Sequence, residues 1–383
     1  MLAAPMLAPN ATIGIVGGGQ LGRMMTMAAR SMGYDVHVLD ADAGCPARGV
    51  ATHFTHAALD DVEALVKLAR ACDVLTLEIE RAGTDGLTAA AAHTPVRPSG
   101  AVLRVIQDRA RQKDWLAVHG FPVGPYRTVA TDDECRDAVI ALGPCVLKTC
   151  TGGYDGRGQA RLETPDDAAA AFRSLGGVRC VAERFLPLDR ELSVMVARRP
   201  GGESVAFPAA LNHHENGILA WSVLPAPIEA HASAEADRIG RAIAEALGVE
   251  GLLAIEFFLL ADGTLLVNEL APRPHNSFHG TERACDTSQF EQAVRAVCDL
   301  PLGDAQVVRP TAIANVLGDL WDDGRPAFDD ALRTQSLRLH LYGKKDPRAG
   351  RKMGHLSACG ATAEEALTRV RGAWSALRPS RDT

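Results

Sequence analysis

Hydrophobic and polar positions in the first hundred residues alternate between short apolar runs and longer stretches with apolar residues at helical spacing. Short β-rich runs separated by helices are typical of a parallel sheet covered by helices. The pattern therefore predicts an α/β, Rossmann-like N-terminal domain over residues 1–105. Its strands are predicted at residues 12–16, 35–39 and 73–77, and its helices at residues 20–32 and 61–71.

Beyond residue 105, short apolar strands become frequent and are often joined by turns. These strands are predicted at residues 145–148, 178–183, 192–197, 204–208, 251–260 and 264–270, with helices at residues 108–119 and 234–247. The spacing favours antiparallel hairpins, so the central part, residues 106–305, is predicted to be α+β. A small C-terminal domain, residues 306–383, is predicted to contain two strands and a helix at residues 363–377.

Length, charge and cysteine content narrow the class of protein. A chain of 383 residues exceeds the usual size of one core, so two or three packed subdomains are expected. Its 40 basic and 47 acidic residues are mixed along the chain, which argues against a nucleic-acid partner. No segment approaches about 20 uninterrupted apolar residues, so no membrane span is expected. The nine scattered cysteines form no CxxC pair, which favours reduced thiols and a cytoplasmic location.

The first candidate site is a glycine-rich turn, GGGQLG at residues 17–22, which follows a strand and opens a helix. Asp40 stands at the end of the next strand. This arrangement is typical of dinucleotide binding, in which backbone amides at a helix N-terminus face a phosphate. In the alternative interpretation, the glycines provide only a tight turn and close packing of helix against strand. The turn by itself leaves both interpretations open.

A second glycine-rich segment, TGGYDGRG at residues 151–158, follows Lys148 at the end of an apolar strand. Four glycines in eight residues can fold a loop over a polyphosphate, with backbone N–H groups, Lys148 and Arg157 as donors. Because the lysine precedes the glycines, this segment differs from the GxxxxGK[ST] loop of another nucleotide-binding class. The alternative is an ordinary surface turn beside a lysine whose ammonium reaches solvent.

A predicted hairpin over residues 252–270 brings two acidic side chains together. Asp262-Gly263 is a strong signal for a two-residue turn, which would pair Ala261 with Thr264 and Glu256 with Glu269. Opposed carboxylates about 5 Å apart repel unless a cation or a shared proton compensates. Mg²⁺ that bridges nucleotide phosphates is a suitable cation. The alternative places both glutamates on a solvated face of the hairpin.

Two further segments are dense in polar residues. Residues 271–279, APRPHNSFH, combine two prolines with Arg, His, Asn and Ser, which suits a rigid binding surface. Zinc is disfavoured there, because no further Cys/His set with ligand spacing accompanies its two histidines. Residues 344–352 hold five cations beside glycines. That cluster either binds the phosphate of a small substrate or forms a solvated loop.

Taken together, these motifs resemble the N5-carboxyaminoimidazole ribonucleotide synthase family of the ATP-grasp superfamily. The distinctive segments are GGGQLGRM, GGYDGRGQ, NELAPRPHNS, SQFEQ and GRKMGHL, in this order between Ile13 and His355. The resemblance implies an N-terminal α/β domain, a central ATP-grasp fold of two α+β lobes and a small C-terminal domain. It also implies ATP and Mg²⁺ as cofactors, and a homodimer.

The activity implied by the resemblance is ATP-dependent carboxylation of 5-aminoimidazole ribonucleotide with bicarbonate, through carboxyphosphate, in purine biosynthesis. Tyr154, Arg273 and Lys344 are the implied catalytic residues, and Glu256 and Glu269 the metal ligands. The implied ATP-binding residues are Arg109, Lys148, Gly153, Tyr154, Asp155, Gly156, Arg157, Gly158, Gln159, Glu183, Arg184, Phe185, Leu186, Glu191, His214, Asn268 and Glu269. The implied substrate-binding residues are Gln20, Leu21, Glu78, Arg273, Asn276, Ser277, Lys344 and Arg351.

One departure from the family and three rival functions remain. Phe278 follows His-Asn-Ser, where the family usually has glycine, so its ring is expected to reshape the substrate pocket. One rival is another ATP-grasp ligase, such as a formate-dependent transformylase or a biotin-dependent carboxylase. A nicotinamide-dependent oxidoreductase would use the turn at residues 17–22 and Asp40. A nucleotide-sensing protein without turnover is the third rival, and Phe278 is the residue that favours it.

Overall fold

The computed structural model describes residues 6–153 and 156–378. No helix in that part of the chain is long and apolar enough to cross a membrane. Tyr154 and Asp155, two of the predicted site residues, lie outside the described residues.

The N-terminal part forms a four-stranded parallel sheet of order β3-β2-β1-β4. Its strands are β1 (Thr12–Val16), β2 (Asp35–Asp40), β3 (His53–His56) and β4 (Val74–Leu77). Its helices are α1 (Gln20–Ser31), α2 (Val62–Arg70), α3 (Thr84–Ala90) and α4 (Gly100–Ile106). The predicted parallel α/β architecture is thus confirmed. Strand β3 was not predicted because the sequence HFTH has only one strongly apolar residue.

A second, antiparallel sheet follows, with strand order β5-β8-β6-β7. Its strands are β5 (Tyr126–Val129), β6 (Cys145–Thr149), β7 (Gln159–Leu162) and β8 (Cys180–Arg184). The accompanying helices are α5 (Arg109–Val118), α6 (Asp132–Leu142) and α7 (Ala168–Ser174). An apolar cluster that includes Cys135, Leu147 and Phe172 packs helices α6 and α7 against this sheet.

The third sheet has eight strands in the order β13-β12-β9-β10-β11-β14-β16-β15. Its strands are β9 (Leu188–Arg198), β10 (Ser204–Glu215), β11 (Ile218–Leu224), β12 (Gly251–Leu260), β13 (Leu265–Ala271), β14 (Thr311–Leu317), β15 (Leu337–Leu341) and β16 (Lys352–Cys359). The helices are α8 (Ala230–Ala246), α9 (Thr281–Ala284), α10 (Gln289–Val297), α11 (Phe328–Ala331) and α12 (Ala363–Ser375). The C-terminal part contributes three strands rather than the predicted two, and β14 pairs with β11, so one sheet continues from the central part into the C-terminal part.

One apolar cluster joins the N-terminal sheet to the large sheet. It contains Met25, Tyr34, Phe207, Phe278 and Phe290, which are fully buried. Phe278 packs against Phe207, with ring centroids 6.0 Å apart. The expectation that Phe278 reshapes the substrate pocket is therefore wrong, because the ring belongs to the core. The cluster also holds the two parts at a fixed separation, which positions the cleft between them.

Candidate active site

A cavity of about 820 Å³ lies where the N-terminal sheet, helix α5 and the third sheet meet. The chain reaches it with the start of α1, the end of β4, the glycine-rich segment after β6 and the segment after β13. Predicted site residues that line the cavity are Gln20, Leu21, Glu78, Arg109, Gly153, Arg157, Glu269, Arg273, Asn276, Lys344 and Arg351. These residues span the chain from α1 to β16, so the fold assembles the cavity from distant segments.

A buried ion network lies beside this cavity, at the ends of β6 and β8. Lys148 Nζ is 2.9 Å from Glu183 Oε2, and Lys113 Nζ is 3.5 Å from Glu183 Oε1. Burial opposes ionisation of Glu183, but Lys148, Lys113 and Arg109 outweigh it and lower its pKa to about 2. Glu183 therefore carries its charge at neutral pH and holds the two ammonium groups in place.

Lys113 is a member of this network that the sequence analysis missed. Its side chain is 2% exposed, and it reaches the network from helix α5. Arg109, Gln112, Lys113 and Leu116 stand at positions i, i+3, i+4 and i+7, the spacing of an inward-facing helix stripe. Three polar residues on such a stripe signal a buried polar site, and this spacing could have identified Lys113.

The hairpin of β12 and β13 pairs Glu256 with Glu269 as predicted, but by a different route. The turn has three residues, because the Leu260 N–H donates to the Thr264 carbonyl at 2.9 Å. Gly263 takes a φ of +85°, as expected for this longer turn. The prediction that Ala261 pairs with Thr264 is wrong. An irregularity next to Glu256 shifts the register by one residue and restores the carboxylate pair.

That irregularity is a β-bulge at Asn268. Val267 and Leu270 are buried in the core, whereas the side chains of Asn268 and Glu269 both point away from it. Asn268 Nδ2 donates to Glu256 Oε2 at 3.4 Å, and Lys148 Nζ donates to Asn268 Oδ1 at 3.4 Å. The bulge therefore places two consecutive polar side chains on one face of the strand, which a regular strand cannot do.

The two opposed carboxylates lie in different electrostatic surroundings. Burial, followed by the charge of Glu269, raises the pKa of Glu256 to about 7. Burial also acts on Glu269, but Arg109, whose Nη2 is 3.1 Å from Glu269 Oε2, and Lys148 lower its pKa below the ordinary value. His275 Nε2 lies 3.4 Å from Glu256 Oε1, and burial lowers the pKa of His275 well below its ordinary value. Glu256 thus lacks a strong cationic partner among the described residues.

This donor set fits a hard divalent cation and an anion beside it. The two carboxylates supply the oxygen ligands that Mg²⁺ prefers, and the Asn268 amide lies beside them. Arg109 Nε and Nη1 and Arg273 Nε are buried and have no hydrogen-bond partner among the described residues. Unused guanidinium donors beside a pair of carboxylates suit phosphate oxygens bound together with a cation.

The turn at residues 17–22 is occupied by the protein's own carboxylates. Glu78 accepts hydrogen bonds from the N–H groups of Gly19 at 2.8 Å and Gly22 at 3.0 Å. Asp40 accepts the Gly18 N–H at 2.6 Å. Burial raises the pKa of Glu78 to about 7 against these bonds. Because these amides are already satisfied, the turn does not offer them to a dinucleotide phosphate.

The opposite wall of the cavity is built from residues far apart in sequence. Lys344 Nζ donates to Gln20 Oε1 at 2.8 Å, and Gln20 Nε2 donates to Asn276 Oδ1 at 3.4 Å. Arg273 Nη2 lies 2.8 Å from Glu80 Oε1, a partner that no sequence signal indicated. Arg351 lines the same wall with Arg348 and Lys352. The resulting surface is strongly cationic and suits a phosphorylated small molecule.

Other predicted nucleotide contacts surround the end of β8. Arg184 is the last residue of β8, and Phe185 and Leu186 begin the connection to β9. Phe185 is exposed, and the Arg161 guanidinium lies 4.7 Å from its ring centroid. Further along, Glu191 on β9 has its Oε2 2.8 Å from His214 Nδ1 on β10. Burial would lower the pKa of His214, but Glu191 and Glu256 raise it above the ordinary value.

Gly156, in the second glycine-rich segment, packs against the turn between β10 and β11. Gly156 has a φ of +75°, and a Cβ there would lie 2.6 Å from the Asn216 carbonyl oxygen. Gly158, with a φ of +72°, accepts a hydrogen bond from the Thr149 N–H at 2.9 Å. Glycine is therefore required at both positions.

Ser277, one of the predicted substrate contacts, is placed differently from its neighbours. It is 2% exposed and its hydroxyl accepts a hydrogen bond from Ser193 at 2.9 Å. His275 Nδ1 lies 2.8 Å from the same oxygen. The structure thus puts Ser277 behind the cavity wall, where it orients His275 toward Glu256.

Comparisons with known proteins agree with this arrangement. Family models described as ribonucleotide synthetase preATP-grasp domain, ATP-grasp domain and phosphoribosylaminoimidazole carboxylase C-terminal domain match residues 10–107, 114–290 and 311–369. Among curated proteins, the chain is 43% identical to the N5-carboxyaminoimidazole ribonucleotide synthase of Brucella melitensis, over 92% of this chain and 97% of the relative. It is 40% identical to the Bacillus subtilis enzyme of the same name, over 97% of this chain and 98% of the relative.

Solved structures of similar proteins extend the comparison to three dimensions. An ADP complex of an N5-carboxyaminoimidazole ribonucleotide synthetase superposes with a TM-score of 0.92 at 39% identity, covering 97% of this chain and 99% of the other. An Aspergillus clavatus synthase in complex with ADP and 5-aminoimidazole ribonucleotide superposes with a TM-score of 0.90 at 31% identity, covering 96% of this chain and 98% of the other. This chain belongs to the N5-carboxyaminoimidazole ribonucleotide synthase family of ATP-grasp enzymes.

Proposed function

We propose that this chain carboxylates 5-aminoimidazole ribonucleotide with bicarbonate to N5-carboxyaminoimidazole ribonucleotide, using ATP and releasing ADP and phosphate. The observation that carries the proposal is the position of the Glu256 and Glu269 pair. On one side of the pair lies the ion network of Lys148 and Glu183. On the other lies the cavity wall that carries Gln20 and the cations Arg273 and Lys344. A site with a nucleotide side and a phosphorylated-substrate side needs its metal at this junction.

Glu256 and Glu269 would hold Mg²⁺ on the nucleotide side, with Asn268 beside them. When bound, the ion neutralises charge on the phosphate oxygens during phosphoryl transfer. Lys148 and Arg109 position the phosphates, and the residues from Gly153 to Gln159, Tyr154 and Asp155 among them, close over the nucleotide. The connection from Glu183 through Leu186 receives the adenine, and Glu191 with His214 receives the ribose.

The reaction has two stages. A bicarbonate oxygen attacks the γ-phosphorus, the bond to the ADP oxygen breaks, and carboxyphosphate forms. The substrate amine then attacks the carboxyl carbon, or CO₂ released from it, and phosphate leaves as the amine proton is lost.

Tyr154, Arg273 and Lys344 are the proposed catalytic residues, because they hold bicarbonate and substrate together. Gln20, Leu21, Glu78, Asn276 and Arg351 complete the substrate side, and Ser277 supports it from behind the cavity wall. Carboxyphosphate hydrolyses readily, so exclusion of water by the closing loop protects it.

Four properties of the whole protein belong to the same proposal. The family relationship favours a homodimer and a cytoplasmic enzyme, and no nucleic-acid partner is proposed. The domain boundaries are proposed at residues 105/106 and 305/306. Light scattering of the purified chain tests the dimer, because a monomer mass at working concentration would contradict it.

A coupled assay of ADP release tests the proposed activity. ADP release should require both 5-aminoimidazole ribonucleotide and bicarbonate, and omission of either should reduce it to background. Formate or biotin should not restore it, which separates the proposal from the transformylase and carboxylase alternatives. Full ADP release without the ribonucleotide would contradict the proposal.

Replacement of Glu269 tests the metal assignment. Glu269→Ala should reduce ADP formation by at least about 100-fold, because the metal loses one of its two carboxylates. Glu245→Ala is the matched control, since Glu245 is exposed on α8. Circular dichroism should show the same fold for both variants. Near-normal turnover of Glu269→Ala at saturating Mg²⁺ would refute the assignment.

A further inference from the structure

A second cluster of metal-ligand side chains lies outside the proposed active site. Glu282 on α9, His340 on β15 and His355 on β16 place one ligand atom each within 4.8 Å of the others. None of the three lines the 820 Å³ cavity. His340 and His355 are opposed partners in the pairing of β15 with β16, and tertiary packing of α9 brings Glu282 to them.

One ring nitrogen of His355 is held by a hydrogen bond, so the other is the candidate metal ligand. Its Nδ1 is 2.8 Å from the Tyr342 hydroxyl, which leaves Nε2 as the remaining nitrogen. The imidazole is 1% exposed and stacks on His279, with ring centroids 4.5 Å apart and planes 5° from parallel. Metal-bound histidines commonly have the second ring nitrogen engaged in this way, because it fixes the orientation of the ring.

His340 and Glu282 face each other at the mouth of a separate cavity of about 240 Å³. His340 Nδ1 is 3.6 Å from Glu282 Oε2, which is longer than a hydrogen bond. In a tetrahedral zinc site with bonds of about 2.0 to 2.1 Å, ligand atoms lie roughly 3.4 Å apart. The side chains are 35% and 29% exposed, so an ion can enter from this cavity and keep a water ligand.

We propose that Glu282, His340 and His355 form a site for a divalent transition-metal ion of the zinc type. Two imidazoles and one carboxylate with an open fourth position are a donor set that Zn²⁺ and Co²⁺ accept. A bound ion fastens the edge strand β15 to β16 and α9. Strand β15 leads directly to Tyr342 and Lys344, so the ion stabilises the wall that carries Lys344.

Cobalt titration of the full-length chain, first freed of transition metals, tests this site. Saturating Mg-ADP is present throughout, so that the carboxylate pair of the hairpin is already occupied. One equivalent of Co²⁺ should produce the visible d–d absorption of a four-coordinate site, and Zn²⁺ should displace it. His340→Asn and Glu282→Gln should each weaken Co²⁺ binding roughly tenfold or more. His231→Asn is the matched control, because His231 is exposed on α8, and it should bind Co²⁺ like the parent chain.

Two outcomes would overturn the site. One is the absence of a saturable d–d band in the parent chain. The other is an unchanged band in His340→Asn, which would place cobalt elsewhere. ADP release measured on the same variants tests the proposed function separately, because neither Glu282 nor His340 belongs to the catalytic cleft.

Discussion

Glu256 is the residue at which stability and the proposed catalysis oppose each other. It is buried, faces Glu269, and has a pKa of about 7. The unfolded chain releases this proton near the ordinary pKa of 4.5, so between pH 4.5 and 7 the folded state binds more protons. In the absence of metal, stability from this group therefore falls as the pH rises through that window.

Glu256→Gln should consequently stabilise the metal-free protein at pH 8 while removing activity. The largest gain corresponds to the full pKa shift, ~3 kcal/mol, and it should shrink toward pH 4.5. Thermal unfolding of the metal-free chain at several pH values measures the effect. Glu245→Gln, on an exposed helix surface, should show no such trend. Equal or lower stability of Glu256→Gln at pH 8 would show that repulsion at this pair is negligible.

Lys344 is the cation that joins the C-terminal part to the substrate side. It contacts Gln20 at 2.8 Å and lines the cavity, whereas its neighbour Lys345 is exposed and does not line it. Lys344→Ala should raise the KM for the ribonucleotide by roughly 10-fold or more and change the KM for ATP little, since one charged hydrogen bond to phosphate contributes about 1.5 to 3 kcal/mol. Lys345→Ala should alter neither constant. Equal losses for both substrates in Lys344→Ala would contradict the phosphate role.

At the scale of elements, helix α5 turns three polar side chains toward the interior of the protein. Its inner face carries Arg109, Gln112 and Lys113 toward β8 and β13, beside the buried Ala110 and Leu116. Gln112 accepts the Leu270 N–H at 3.1 Å, and Lys113 pairs with Glu183. The helix thus acts as a polar support for strands β8 and β13, and its position depends on charge pairing.

Lys113→Met should therefore destabilise the protein by roughly 2 to 4 kcal/mol at pH 7, because Glu183 loses one of its compensating cations. The lowered pKa of Glu183, about 2, contributes stability that is present above pH 4.5 and lost as the pH falls toward 2. The deficit of the variant should shrink across that acid window. Urea unfolding at a series of pH values measures it, with Arg111→Met on the exposed side of α5 as control. A deficit independent of pH would point to packing instead.

In the hairpin of β12 and β13, Glu256 faces Glu269 as predicted, but the turn and register that bring them together differ from the prediction. The sequence signal Asp262-Gly263 indicated a turn at the right place, but the turn is one residue longer than predicted. Without compensation, that extra residue would remove Glu269 from its place opposite Glu256. The bulge at Asn268 restores the pair and adds a polar side chain to the site. Bulges depend on neighbouring strands and side chains, so the hairpin sequence alone does not reveal them.

At the scale of the whole molecule, the cleft offers hydrogen-bond donors to a nucleoside triphosphate but not to a dinucleotide bound at the glycine-rich turn. Glu78 and Asp40 occupy the amides of the turn at residues 17–22, and the unused donors of Arg109 and Arg273 lie elsewhere. This arrangement argues against the oxidoreductase alternative. The burial of Phe278 removes the feature that favoured a sensing protein without turnover.

Thermal unfolding with ligands tests this conclusion on the intact protein. Mg-ATP should raise Tm, because a ligand at 100 times its Kd stabilises the folded state by about 2.7 kcal/mol. NADH at the same concentration should leave Tm unchanged. A shift with NADH and none with Mg-ATP would reverse the assignment of the nucleotide site.

The sequence predicted that Glu256 faces Glu269, although that pairing depends on a bulge at Asn268 that the sequence did not reveal. By itself the sequence determined the α/β character of the N-terminal part and most strands of the central part. These features rest on local information, namely hydrophobic periodicity and turn residues. Family-specific motifs such as GGYDGRGQ added the activity. Strand β3 was not predicted, because its apolar pattern is weak and sheet pairing supplies its stability.

Only the tertiary structure decided which polar residues work together. Lys113 became part of the nucleotide side because α5 packs against β8, and Ser277 lies behind the cavity wall because Ser193 binds it. Glu282 is far in the chain from His340 and His355, which face each other across β15 and β16, and only the packing of α9 brings the three together. Contacts between distant segments depend on how whole elements pack, which a local pattern of residues does not encode.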